Sequence, residues 1–471
     1  MSSSKSLERL LDRLEAANRQ FGSDASAETA EILDTLGRRR FPDARSLIRF
    51  HEALLFFRAY PASARVLHLT DDLLKSIPDR VALLRRTGPG LDPLEEPEVS
   101  GISGTGLSAV FTYDMTRWLE RRHPTRVDID WEGSDETRIG PLLARLHPFF
   151  AEDALVEANI PYLDWFRAAK GSAKGSDLRW LLSCLEKLPL PQDVISDLYA
   201  HAELALRWEV ANVPTTRTNL RLPGVHRFFY HTQPLLRRAD VSLEVELKSP
   251  PLSITKLSRA QGLRMLDLAR ETSAMRFREL HGFTYGDPSS VHRVELGRGV
   301  DVFVSTVPAE HRLAVRTYHA GLIFKNAVPV GYVETLTFRK QIDVGFNLYY
   351  TFREGETAWL YARLLRLFHQ LVGVTLFIVD PYQLGHHNEE AIESGAFWFY
   401  RKLGFRPTDA AVAKLLAKEE RKLQAKPDYR TPARILRHLA AGWMVYGEGE
   451  RVDARRMAMT LRKSALRVPA S

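Results

Sequence analysis

Apolar residues recur at helical spacing through the first half of the chain. Leu7, Leu10, Leu11 and Leu14 fall on one face of a helix, as do Leu54, Leu55 and Phe56 with Ile48 and Phe50 upstream. Residues 177–188 and 193–210 read as further helices. The Pro/Gly-rich stretches 86–101 and 170–176 read as loops between helices. VDIDW, at 127–131, is one candidate strand. Residues 1–235 therefore read as a mostly helical domain, with no repeat of fixed period.

The texture changes near Val241. VSLEVEL (241–247) alternates apolar and polar residues, the period of a half-buried strand. A helix-like run covers about 259–280, and DVFVSTV (301–307) reads as a strand. Residues 319–338 read as two strands joined by a turn at Lys325-Asn326-Ala327. Residues 343–352 form another strand, rich in aromatics. An amphipathic helix follows over 359–371, with Leu360, Leu364, Leu367, Phe368 and Leu371 on one face. VTLFIVD (374–380) is a buried strand, and 394–405 a helix stopped by Gly404. After Asp409 the chain returns to helix. The pattern predicts an α/β protein: a mixed sheet with helices on both faces over 236–408, between the helical domain and a helical extension, 409–471.

With 471 residues, 45% hydrophobic and 26% charged, the chain has ordinary globular composition, which excludes wholesale disorder and a fibrous protein. Its one cysteine, Cys184, excludes an intramolecular disulfide and a Cys-based zinc cluster, and suits a cytoplasmic location. The N-terminus carries charges throughout, so no secretory signal is expected. No apolar run approaches the length of a membrane span. Of the net charge of +8, +7 falls in residues 409–471, with 14 Lys/Arg against 7 Asp/Glu. Such a tail suits a solvated helical face, and weakly a nucleic-acid, anionic-lipid or acidic partner. Adjacent His386 and His387 point apart on any regular element, so no metal is expected. The GISGTGLSA segment (101–109) has the glycine order of a loop rather than of a dinucleotide fingerprint. No P-loop and no G-x-S-x-G elbow occurs.

Three pieces of 241–407 carry a resemblance: LIFKNAVPVGYVETLTF, NLYYTFREGETAWLYARLL and AFWFYRKLGFRP. They resemble the Gcn5-related N-acetyltransferase (GNAT) superfamily: its hairpin, its acyl-CoA-binding strand, loop and helix, and its A-x-x-x-Y-x-K-x-G-F ending. Ala396, Tyr400, Lys402, Gly404 and Phe405 fall in register with that ending. The resemblance implies transfer of an acyl group from acetyl-CoA or another acyl-CoA directly to an amine on a small molecule or protein. Backbone groups of Leu348, Tyr349 and Tyr350 would pair with the pantetheine arm. Arg353, Gly355, Thr357 and Ala358 would meet the diphosphate, with Arg353 as cation and Gly355 allowing close approach. Glu354 and Glu356 put two carboxylates beside it, where they repel it. Tyr400 would reprotonate the leaving thiolate, and Glu334 is the candidate base. Asn388, in the extra segment HHNEEAIE, is a candidate acceptor contact. Two other readings stand beside this one: a non-catalytic GNAT-like module binding a ligand or partner, and an aminoacyl-tRNA-dependent transferase similar to the Fem peptidyl transferases.

Overall fold

The computed structural model describes residues 2–87, 90–146, 160–426 and 428–447. Five helices open the chain: α1 (Ser2–Ala17), α2 (Ser23–Gly37), α3 (Ala44–Ala59), α4 (Ala64–Lys75) and α5 (Ile77–Thr87). Asp43 and Ser63 cap α3 and α4 by accepting from the backbone N–H of Ser46 and Val66, each satisfying a donor the helix cannot. Leu7, Leu11 and Leu14 are buried at their predicted spacing. Helix α3 is buried on all sides from Phe50 to Ala59, as befits a helix at the centre of a core rather than on its surface.

A smaller unit follows, with β1 (Gly106–Val110), α6 (Tyr113–Arg122), β2 (Val127–Ile129) and α7 (Gly140–Leu146). It continues through α8 (Tyr162–Lys170), α9 (Asp177–Leu185), α10 (Gln192–Ala202) and β3 (Ala205–Glu209). Its antiparallel sheet has the order β1-β3-β2. Two readings are corrected here. The helix expected over 193–210 ends at Ala202, because Glu203 takes a left-handed conformation (φ 44°) and the chain turns into β3. The expected loop 101–109 supplies most of β1.

The remaining elements build one nine-stranded mixed sheet. They are α11 (Leu243–Leu247), β4 (Ser253–Lys256), α12 (Arg259–Ala274), α13 (His281–Thr284), β5 (His292–Gly297) and β6 (Val300–Thr306), then β7 (Thr317–Lys325), β8 (Val328–Phe338) and β9 (Gln341–Leu348). After these come α14 (Thr357–Val372), β10 (Leu376–Val379), α15 (Pro381–Leu384), α16 (Glu389–Glu393), α17 (Ala396–Lys402) and β11 (Arg406–Pro407). The last are α18 (Ala410–Ala425), α19 (Ala433–Leu439) and β12 (Met444–Gly447). The strand order is β11-β12-β10-β9-β8-β7-β6-β5-β4, antiparallel except for the parallel pair β9/β10. Helices cover both faces. Phe368 of α14 lies 6.0 Å from His319 on one face, and α13 brings Gly282 against Ala320 and Tyr318 on the other.

Of residues 241–247, Leu243–Leu247 form helix α11, not the expected strand. Ser242 caps it, and Arg363 and Arg366 of α14 hold its Glu246 at 3.1 and 2.6 Å. The C-terminal extension is not wholly helical: Met444–Gly447 leaves the helical pattern and enters the sheet between β10 and β11. The final basic segment, 448–471, lies outside the described residues. Two hydrophobic cores result. The larger joins α1–α5 to the nine-stranded sheet; the smaller is built from residues 107–210 with Ala274 and Met275. Among the described residues no helix is long and apolar enough to cross a membrane.

Candidate functional site

Strand β9 pairs with β8 along its whole length, from Gln341 opposite Phe338 to Leu348 opposite Gly331. With β10 it pairs only from Gln341 to Asp343. The cause is local to β10. Asp380 accepts from Tyr382 N–H at 2.8 Å and Pro381 opens α15, so the chain turns into a helix where the ladder would have continued. From Val344 to Leu348 one edge of β9 therefore has no strand partner among the described residues.

That free edge lies earlier than expected. Tyr349 N–H donates to Val330 O (3.0 Å), Tyr349 O accepts from Phe352, and Tyr350 O accepts from Arg353 N–H. Leu348 O accepts from Arg353 Nε at 3.3 Å. Tyr349 and Tyr350 thus spend backbone groups around a tight turn, Leu348 O meets a side chain, and the edge without a strand partner is Val344–Leu348.

The turn leads into α14, whose N-terminus receives no side-chain cap. Its first N–H groups and the positive end of its dipole face a cleft of about 430 Å³. Arg19, Arg237, Arg238 and Arg353 line that cleft, with Thr357 and Ala358 at the helix start. Thr357 donates its hydroxyl to Arg353 O at 2.9 Å rather than capping the helix. The expected repulsion from two carboxylates does not arise. Glu356 is 2% exposed and turned inward, where Arg298 holds it at 3.0 and 2.5 Å and Lys325 lies at 3.6 Å. Glu354 is paired with Arg19 at 3.1 and 2.5 Å. The four arginines leave the cleft net positive.

Gly355 also serves a contact within the chain. A Cβ there would stand 2.4 Å from Tyr60 Oη, so glycine admits the side chain that follows α3, while Gly355 itself also lines the cleft. Helix α3 also grips the preceding turn. Glu52 accepts hydrogen bonds from Thr351 Oγ1 and, at 2.7 Å, from Arg217 Nη2. The N-terminal helices thus shape the turn that the C-terminal sequence supplies.

On the face of the sheet opposite α14, Glu334 of β8 is the cross-strand partner of Gly345. Tyr318 Oη donates to Glu334 Oε1. Burial raises the Glu334 pKa, while Tyr318 and His281 oppose the rise. A Cβ on Gly345 would sit in ordinary contact, 3.5 Å from Glu334 O and 3.8 Å from Gln383 Nε2. The same Gln383 accepts from Tyr400 Oη at 3.2 Å. Tyr400 is buried among Tyr361, Phe399 and Phe405, and burial together with Asp343 raises its pKa. Glu334, as cross-strand partner, and Gln383, which holds Tyr400, thus both lie beside Gly345. Asn388 stands elsewhere: its side chain accepts from Ala391 N–H to cap α16 and donates to Tyr382 O.

Sequence reasoning missed Gln383, Asp343 and the arginines at 19, 237 and 238, which only chain folding gathers. The adjacent Arg237-Arg238 pair was the one local signal. Asp343 is the last β9 residue paired with β10, and its buried Oδ1 has no partner. Burial, and then Asp380, push its pKa up to about 7. A carboxyl raised above its unfolded value favours folding fully below about pH 4 and loses that contribution as pH rises through 7. Asp343→Asn should therefore melt close to the parent at pH 4 and above it at pH 8, by on the order of 2 kcal/mol. Thermal unfolding at the two pH values checks this; an equal effect at both contradicts it.

No family model, curated protein or solved structure matches this chain.

Proposed function

We propose that the chain is an acyl-CoA-dependent N-acyltransferase, its residues 236–408 forming a domain similar to the GNAT superfamily and working in the cytoplasm. One observation carries the reading: β9 parts from β10 immediately before a turn that feeds an uncapped, arginine-ringed helix start. An acyl-CoA is an extended amide arm joined to a diphosphate. The free edge at Val344–Leu348 suits the arm and the α14 N-terminus suits the diphosphate. The thioester supplies an activated carbonyl.

On this reading, Glu334 takes the proton of the acceptor amine, directly or through water, and burial, by raising its pKa, strengthens it as a base. The amine nitrogen bonds to the carbonyl carbon, the carbon–sulfur bond breaks, and the electron pair leaves on sulfur. Tyr400 donates its hydroxyl proton to that thiolate. Its raised pKa keeps the proton in place at neutral pH, and Gln383 orients the hydroxyl.

Acetyl-CoA should raise the melting temperature of the full chain, by the equivalent of about 2.7 kcal/mol at a hundredfold excess over Kd. Arg353→Glu should abolish that shift by reversing charge at the diphosphate. A scan across coenzyme A thioesters in which none moves the melting temperature overturns the proposal and leaves the non-catalytic module.

A further inference from the structure

Past Ala274 the chain turns a corner at Arg276 and Phe277, the latter with φ 51°. The corner delivers the Arg276 side chain, 6% exposed, against the end of β9. The guanidinium carbon lies 4.2 Å from the centre of the Tyr349 ring. Its single side-chain hydrogen bond runs from Nη1 to Thr272 O at 2.9 Å. Among the described residues no carboxylate pairs with it, and its buried Nε has no partner. The Tyr349 hydroxyl is likewise buried and unpartnered. The ring satisfies the face of the cation but not its N–H edge, and burying such groups unmatched is costly. Burial accordingly pulls Arg276 down to about 10.

Residues Arg276 and Tyr349 line a cavity of about 200 Å³ together with Arg278, Asn347, Glu98 and Glu390. Glu390 is already paired with Arg353 at 2.5 Å, and Glu98 is exposed. The interior of the cavity is therefore cationic. It is separate from the arginine-ringed cleft at α14, with Arg353 as the lining residue common to both. Asn347 lies on the same face of β9 as Gly345, opposite α14: its cross-strand partner is Tyr332, as Gly345's is Glu334. Phe346, on the other face, packs against Tyr361 of α14.

Resting on the acyltransferase reading, we infer that this cavity takes a carboxylate on the acyl acceptor, which is an amine with its carboxylate several bonds away. Arg276 supplies, on the wall of that cavity, a guanidinium with the fork geometry carboxylates take. Asn347 is two residues from Gly345, about 7 Å along a strand. An α-amino group is only about 3 Å from its own carboxylate, too near to span that interval. The side-chain amine of a basic amino acid spans it, and its α-ammonium then meets Glu98 at the rim.

The test compares acyl transfer to L-lysine and L-ornithine with transfer to cadaverine and putrescine, the same amines without the carboxylate, following thiol release. The carboxylated acceptors should show a KM about 10- to 100-fold lower. Arg276→Gln should collapse that preference toward unity. No preference in the parent, while acetyl-CoA still raises the melting temperature, overturns this inference alone. If acetyl-CoA gives no shift, the transferase reading fails. Lysine-induced stabilisation lost in Arg276→Gln then still supports the anion site, and its absence refutes it. If Arg276→Gln weakens coenzyme A but not 3′-dephospho-coenzyme A, the cavity holds a nucleotide phosphate and the inference is overturned.

Discussion

Tyr400→Phe is expected to lower acyl transfer by about 10²- to 10⁴-fold, the range that a positioned proton donor contributes. The substitution removes one oxygen and keeps the ring in its aromatic cluster with Tyr361, Phe399 and Phe405, so packing should change little. The hydroxyl's hydrogen bond to Gln383 is lost. The effect should therefore fall on turnover rather than on acyl-donor binding, since the proton is used only when the thiolate forms. Steady-state kinetics with the acetyl-CoA melting shift as control separates the two. Unchanged turnover would return Tyr400 to the core and leave the thiolate to solvent.

The second large effect is on stability. Glu52→Gln should cost about 3–5 kcal/mol, because it strands Arg217 as a buried charge without its counter-ion. Arg217 is 3% exposed and Glu52 8%, and Glu52 holds three elements at once: α3, the segment at Arg217 and the turn at Thr351. Burial alone would raise the Glu52 pKa. Arg217, together with hydrogen bonds from His51 and Thr351, more than offsets that and holds it at about 2. A depressed carboxylate contributes fully above its unfolded pKa and loses the contribution as pH falls through the folded one. The gap between parent and variant in urea unfolding should thus be full at pH 6 and shrink from about pH 4 toward pH 2. A gap independent of pH would mean that shape, not charge, is what the variant disturbs.

Much of the fold was legible because its signals are local. The hairpin at Lys325-Asn326-Ala327 forms where read. Asn326 and Ala327 take φ of 47° and 68°, and Asn326 pins the turn through Ala59 O and Phe229 O. The apolar stripe of α14 and the stop at Gly404 also follow from spacing and backbone freedom. Short elements misled. Residues 241–247 alternate as a strand does, yet a serine cap and two arginines from α14 make Leu243–Leu247 a helix. Seven residues of pattern weigh less than a local cap and two tertiary ion pairs.

The candidate site divides the same way. Residues adjacent in the chain, from the strand at Phe346 through Arg353 to the helix at Thr357, declared themselves, because a strand, turn and helix start are made by neighbours. Sequence alone determined an α/β chain with a strand–turn–helix unit, and the aromatic helix carrying Tyr400. Only the tertiary structure decided that Glu356 faces inward to Arg298, that Arg19 and Arg237 converge on α14, and that Arg276 lies unpaired beside Tyr349. Charge pairing depends on distances through space between residues hundreds of positions apart, which no local pattern encodes.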